Sequence, residues 1–281
     1  MNTCTITVLH PGDMGVSVAR AARAAGHRVL WVGSARSAET AARAGAAGLV
    51  DAGSLASALR ESAVVLSVCP PHAAKDTAQA VAACGFAGLY VDANAISPAS
   101  TRAVGAIVAK AGARFVDGGI IGPPVSSKGN TRLYLSGAHA HEAAALFEGS
   151  LLRARALDGP EDAASALKMC YAAWTKGTTA LLADIRALAS ALEVEDALLA
   201  EWNESQPGLA ARSESAARNN AFKAWRWIAE MHEIADSFAA QDLPDGFHRA
   251  AAQIYERLAG FKDEREPELA RIIAALRTPQ G

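Results

Sequence analysis

The stretch Cys4-Thr5-Ile6-Thr7-Val8-Leu9-His10-Pro11-Gly12-Asp13-Met14-Gly15 decides the fold. Its first six residues are β-branched or apolar and read as a strand, and His10 to Gly15 read as a turn. An alanine-rich helical stretch then runs to about Ala25, where Gly26 closes it in the C′ position, and His27 to Val32 form a second strand. Strand, helix and strand within 32 residues make a βαβ unit, which requires a parallel sheet.

Outward from that unit, further strands are expected at Gly48 to Val50, Val64 to Cys69, Leu89 to Asp92 and Arg114 to Asp117, separated by alanine-rich segments of helical length. A last pair, Thr131 to Ser136 and Leu151 to Leu157, flanks a helix from about Ala140 to Phe147. Asp158-Gly159-Pro160 is a break signal, and beyond it the strand pattern vanishes. A single helix is predicted from Glu161 to about Leu192, followed by helices near 195–203, 207–218, 221–240, 245–260 and 266–277. The expected architecture is an α/β, Rossmann-type doubly wound parallel sheet over residues 1–158 and an all-α domain over 159–281.

Bulk properties exclude several classes of function. The 281 residues carry 27 basic and 29 acidic side chains, so no strong basic field exists for nucleic acid or anionic lipid. No apolar stretch approaches the roughly 20 residues of a membrane span. The N-terminus lacks a basic n-region, and Pro11 and Gly12 interrupt its apolar run too early for a signal peptide. Cys4, Cys69, Cys84 and Cys170 are scattered without metal-type spacing, as expected of reduced thiols. These features predict a cytoplasmic protein with a small-molecule substrate and no metal, membrane or nucleic-acid partner.

A dinucleotide site asks for Gly-x-Gly-x-x-Gly at the first strand-to-helix turn. In that register stand His10, Gly12 and Gly15, so the first glycine is replaced, and Pro11 is expected to hold His10 extended. The anion site at the helix N-terminus survives the change, because backbone N–H groups around Gly12, Asp13, Met14 and Gly15 supply it. The end of the second strand selects the dinucleotide. It reads Gly33-Ser34-Ala35-Arg36-Ser37 with no acid before Glu39. Arg36 can pair with a 2′-phosphate and Ser34 and Ser37 can donate to it, which favours NADP(H) over NAD(H). The competing reading makes Arg36 a solvated arginine and Ser37 a helix cap. Cys69-Pro70-Pro71 at the end of another strand is expected to line the cofactor, and Asn94, two residues past Asp92, to hydrogen-bond substrate or carboxamide.

Gly12-Asp13-Met14-Gly15, Val91-Asp92, Ile96-Ser97-Pro98, Phe115-Val116-Asp117-Gly118-Gly119 and a lysine early on a long helix together resemble the β-hydroxyacid dehydrogenase superfamily. That superfamily includes 6-phosphogluconate and 3-hydroxyisobutyrate dehydrogenases and, more distantly, imine reductases. The chain resembles an atypical branch with a divergent helical C-terminal domain. The resemblance implies that Lys168 is the catalytic lysine, a general base in alcohol oxidation and a general acid in carbonyl reduction. It also implies that Asp117-Gly118-Gly119-Ile120-Ile121-Gly122-Pro123 corresponds to the segment that binds a substrate carboxylate, with Ile121 in place of the usual serine. The asparagine expected four residues after the lysine is Ala172, and the two glycines before it are Asp162 and Ala164.

Lys168, Tyr171 and Thr175 lie at i, i+3 and i+7, a single helical stripe. Tyr171 is a candidate to donate to or orient the reacting oxygen beside Lys168, with Trp174 and Thr175 as candidate substrate contacts; the competing reading is a surface lysine on an amphipathic helix with a core tyrosine nearby. Trp225, Trp227, Lys176, Glu230 and His232 are weaker pocket candidates, for which core packing is the competing reading. The expected reaction is hydride transfer between NADP(H) and a hydroxyl or carbonyl carbon of a small β-hydroxyacid-like substrate with an apolar portion. C=N reduction, as in imine reductases, and a catalytically silent NADP(H)-binding protein are the alternatives. A homodimer packed through the helical domains is expected.

Overall fold

The computed structural model describes residues 3–126, 128–262 and 264–278. Two compact units divide the chain, Met1–Met169 and Cys170–Gly281. The first unit alternates strand and helix: β1 (Thr5–Leu9), α1 (Asp13–Ala24), β2 (Arg28–Trp31), α2 (Ala38–Ala46), β3 (Val50–Asp51), α3 (Leu55–Glu61) and β4 (Val64–Ser67). It continues through α4 (Ala74–Ala83), β5 (Leu89–Asp92), α5 (Pro98–Lys110), β6 (Arg114–Ile121), β7 (Arg132–Ser136), α6 (Ala140–Ala145) and β8 (Arg153–Ala156). The helix α7 (Ala163–Ala191) begins in this unit and ends in the other.

Among the described residues, one sheet in the order β3-β2-β1-β4-β5-β6-β7-β8 contains all eight strands. Helices cover both of its faces, so the central strands are buried throughout and read as continuous apolar runs. Residues alternate between two cores. Ile6, Val8, Val64, Leu66, Leu89 and Val91 pack with α1 and α6 on one face. Val65 and Tyr90 pack with α4 and α5 on the other. The pairing of β6 with β7 is antiparallel, whereas the other strand pairs are parallel. Among the described residues of the segment between these two strands there is no crossover helix, and the chain reverses direction.

Element bounds shift where tertiary pairing overrides local pattern. β3 forms at Val50–Asp51 rather than at Gly48 to Val50, because Leu30 and Trp31 of β2 pair with those two residues. β6 continues four residues past Asp117 to Ile121, because β7 supplies partners along that length. In register across the sheet, Ser67, Asp92, Asp117 and Ser136 stand as successive Cα partners. A polar row at one level of an otherwise apolar sheet is the feature from which the site is built.

The second unit is helical: the remainder of α7, then α8 (Glu195–Ser205), α9 (Leu209–Asn220), α10 (Ala224–Ala239), α11 (Gly246–Arg257) and α12 (Leu269–Arg277). Tyr255 sits at its centre, donating its hydroxyl to the Lys176 carbonyl (2.6 Å) and meeting Trp227 edge-on. Lys176 forms an ion pair with Glu230 and lies over the Trp227 ring. The buried Arg186 is held by Glu195 (2.5 Å) and Ser213 (2.9 Å). Of the pocket candidates named from sequence, Lys176, Trp227 and Glu230 are thus knitted into this unit's own packing. Among the described residues no helix is long and apolar enough to cross a membrane.

Candidate active site

The turn after β1 is built differently from the expectation of an extended His10. Its φ is +63°, the left-handed conformation for which the missing glycine would have been suited. The reason is the packing of α1 on the turn. The His10 carbonyl must swing inward to accept from the Gly12 amide (2.8 Å), and α1 packs so tightly on that carbonyl that a Cβ at Gly15 would come within 2.4 Å of it. The His10 Nδ1 is buried without a hydrogen-bond partner. Burial, followed by the charges of Arg36 and His72, lowers the His10 pKa to about 4, so the ring is neutral at physiological pH.

Gly12 leaves the N-terminus of α1 without a side-chain cap, and the space a Cβ would occupy there is open. By contrast α2, α3 and α5 are capped by Ser37, Ser54 and Ser97. The first-turn amides of α1 therefore face an open cradle, which suits a dinucleotide phosphate. Gly12 and Asp13 are exposed and Met14 is half-buried; Asp13 also pairs with Arg43 of α2 (3.4 Å).

At the end of β2, Ser34, Arg36 and Ser37 are exposed. The Ser37 hydroxyl accepts from the Thr40 amide (3.2 Å), so this side chain serves as a helix cap. A carboxylate does reach this loop, from a strand that local sequence reading could not connect to it. Asp51 Oδ1 accepts from the Gly33 amide (2.9 Å) and the Gly53 amide (2.8 Å), tying the end of β3 to the end of β2. Asp51 lies 18 residues from Gly33, and only the parallel pairing of the two strands juxtaposes them.

Asn94 is 2% exposed, and its side chain is spent within the protein. The Oδ1 atom accepts from the Cys69 amide (2.6 Å), while Nδ2 donates to Ser67 (3.1 Å) and Asp92 (2.9 Å). It thereby fixes the turn Cys69-Pro70-Pro71, of which Pro70 alone is exposed. Cys69 is buried and its thiol pKa is pushed up to about 11 by that burial, which makes it inert as a nucleophile at neutral pH.

Lys168 lies on the second turn of α7. Its Nζ donates to the Ile120 carbonyl of β6 (2.8 Å), and burial lowers its pKa to about 8. Gly118, Gly119, Ile120 and Ile121 are buried strand residues. Gly119 is glycine because a Cβ there would meet the Ala164 carbonyl of α7 at 2.5 Å and the Lys168 Cβ at 3.2 Å. The structure therefore gives this segment a definite contact with Lys168 through a backbone carbonyl. On the part of α7 belonging to the second unit, Tyr171 and Trp174 are 43% and 64% exposed, and Thr175 donates its hydroxyl to the Tyr171 carbonyl (3.1 Å). Sequence reading did not single out Ser136 or Ser165, which with Asp117 hold the start of α7. Ser165 donates from both its amide (2.7 Å) and its hydroxyl (2.5 Å) to the Asp117 carboxylate.

An α/β sheet with an uncapped glycine turn after its first strand defines a dinucleotide-binding domain. The chain belongs to the family described as the NAD binding domain of 6-phosphogluconate dehydrogenase, which matches residues 5–148. Residues 189–258 match a domain of unknown function, DUF1932. Among solved structures, a conserved protein of unknown function with structural similarity to 3-hydroxyacid dehydrogenases is 25% identical, with a TM-score of 0.67 over 91% of this chain and 97% of that one. The 3-hydroxyisobutyrate dehydrogenase of Mycobacterium tuberculosis is 21% identical, with a TM-score of 0.73 over 99% of this chain and 100% of the other. An imine reductase of Streptomyces aurantiacus is 21% identical, with a TM-score of 0.54 over 98% and 100%. The latter two likenesses concern the fold alone. No curated protein matches the chain significantly.

The low pKa of Lys168 has a consequence for stability. A base whose folded pKa of about 8 lies below its ordinary 10.5 binds fewer protons in the folded state across that interval, so stability rises as pH climbs from about 8 to 10.5. Below that interval the shift corresponds to a net cost of about 3 kcal/mol for burying the ammonium, the bond to Ile120 included. Lys168→Met is expected to be about 3 kcal/mol more stable than wild type at pH 7, with the gain fading above pH 8. Urea denaturation at a series of pH values measures this, and a gain independent of pH contradicts it.

Proposed function

We propose that the chain is an NADP(H)-dependent oxidoreductase acting on a hydroxyl or carbonyl carbon of a small β-hydroxyacid-like substrate, with Lys168 handling the proton of the reacting oxygen. The carrying observation is the Lys168 amine, anchored on the Ile120 carbonyl and titrating near 8. A proton-transfer group works best when its pKa lies near the operating pH, and burial brings this lysine there without a neighbouring cation. When a carbonyl is reduced, the ammonium gives a proton to the oxygen; when an alcohol is oxidised, the neutral amine accepts it. The bond to Ile120 uses one N–H and leaves the others for the substrate oxygen.

The cofactor would supply or receive the hydride, held at the Gly12–Gly15 turn with the Cys69-Pro70-Pro71 turn as a second wall. Asn94 supports that wall from behind. Arg36 is the residue that favours a 2′-phosphate; the Asp51 carboxylate, tied to the Gly33 and Gly53 amides through Oδ1 alone, keeps its charge at the same loop and weighs on the side of NAD(H). The same reading gives Tyr171 an orienting role and makes Trp174 and Thr175 substrate contacts. With Ile121 and Ala172 in place of polar residues, the substrate carries an apolar portion.

α7 also supports a homodimer. Leu181 and Leu188, seven residues apart on α7, and Leu192 just past its end are exposed, the spacing of a helix seam that packs against another.

Three outcomes test this reading. In a screen of hydroxyacids, alcohols, ketoacids, ketones and cyclic imines, Lys168→Ala is expected to lose turnover by about 100-fold or more on the best substrate while NADPH affinity stays within about two-fold. Turnover within a few-fold of wild type removes Lys168 from the mechanism, and activity confined to imines transfers the protein to C=N reduction. Arg36→Ala is expected to weaken NADPH by about ten-fold and NADH hardly at all, as read by fluorescence titration; equal losses refute the 2′-phosphate role. Light scattering is expected to give twice the chain mass, and Leu181→Glu with Leu188→Glu to give monomers; a monomeric wild type disproves the seam.

A further inference from the structure

Asp117 lies in the middle of β6, 1% exposed. Oδ2 accepts from the Ser165 amide (2.7 Å), Oδ1 accepts from the Ser165 hydroxyl (2.5 Å), and the single proton of the Ser136 hydroxyl lies within reach of both Oδ2 (3.1 Å) and the Glu161 carbonyl (3.0 Å). The Ser136 oxygen in turn accepts from the Ala164 amide (2.9 Å). The free amides of the first turn of α7 are thus satisfied by side chains of β6 and β7. Ala163 finds the Pro160 carbonyl (3.0 Å), and Ala166 makes the first regular helical bond, to Asp162 (3.0 Å). Thr101 of α5 meets the Ser165 hydroxyl at 2.8 Å. A carboxylate at a helix N-terminus is also favoured by the helix dipole.

Three residues further along both elements comes the second contact, Lys168 on the Ile120 carbonyl. Three residues of strand advance about 10 Å, whereas three residues of helix advance about 4.5 Å. The lysine arm spans the difference. Its reach is fixed by where the helix starts, and Gly119 between the two contacts lets α7 lie directly on the strand. Because every donor to Asp117 comes from within this cluster, the carboxylate is turned toward the helix and is not offered to a substrate.

We propose that Asp117 is a positioning residue for Lys168: by capping α7 it sets the register at which the lysine amine is held in its buried place on the Ile120 carbonyl. The proposal gives a role to the aspartate of the segment otherwise expected to bind a substrate carboxylate. It rests on Lys168 as the proton-transfer group for its significance, but its test does not require turnover. The charged groups acting on Asp117 are Asp162, ahead of α7, and Asp92 on the adjacent strand.

The test follows the titration of Lys168 itself. The full chain is reacted with an amine-specific acylating reagent over a range of pH, and modification at Lys168 is quantified by mass spectrometry, with NADPH titration and thermal melting in parallel. Wild type is expected to show an apparent pKa near 8. In Asp117→Ala the value is expected to move up by about one pH unit or more, toward the ordinary 10.5, as water reaches the amine, with NADPH affinity within about two-fold. Asp117→Asn keeps an oxygen for the Ser165 amide and is expected to restore the wild-type profile. A folded Asp117→Ala in which Lys168 titrates as in wild type overturns the proposal, as does an Asn variant no better than Ala. Should Asp117→Ala not fold, Ser165→Ala and Ser136→Ala each remove a hydroxyl from the cap and are expected to move the titration in the same direction by less; no movement in either overturns it. If Lys168→Ala keeps its turnover while Asp117→Ala shifts the titration, the functional reading falls and the positioning role stands.

Discussion

The bond between the Asp117 carboxylate and the first turn of α7 is the interaction on which the site depends. A buried carboxylate is costly, and that cost is met by two donors from Ser165 of α7 and by the Ser136 hydroxyl of β7, whose proton also reaches the Glu161 carbonyl. Burial still raises the Asp117 pKa to about 6 and that of its neighbour Asp92 to about 7. An isolated polar row in an apolar sheet is tolerable because nearly all its members bond to one another or to a nearby backbone. Broken at one point, it would leave unpaired charge in a low-dielectric interior.

The row divides its work between the two parts of the candidate site. At one end Ser67 and Asp92 hold Asn94, which takes the Cys69 amide and shapes the turn after β4. At the other, Ser136 and Asp117 hold the start of α7 and so the base of Lys168. Both parts therefore refer to the same level of the same sheet. The scaffold of the candidate site is thus set by buried bonds at that level of the sheet, while the His10 turn leaves the N-terminus of α1 uncapped.

The family match and the geometry bear on different questions. The match makes residues 5–148 an NAD-binding domain. What the geometry adds is an amine whose protonation is poised near neutrality by burial, which a lysine on an exposed helical face would not show.

Sequence alone determined the strand–turn–helix order, the Gly12 and Gly15 turn with its altered first position, the two-part architecture and Lys168 on a long helix. All of these are encoded by neighbours along the chain, through apolar periodicity and turn chemistry. Tertiary structure decided the rest. Local rules set His10 extended, but packing of α1 on its carbonyl turns it left-handed. No local pattern announces that Asp51 would reach Gly33, that Asn94 would face inward, or that Asp117 would cap a helix beginning 46 residues later. Those contacts join residues far apart in sequence, and their geometry exists once strand register has placed them side by side.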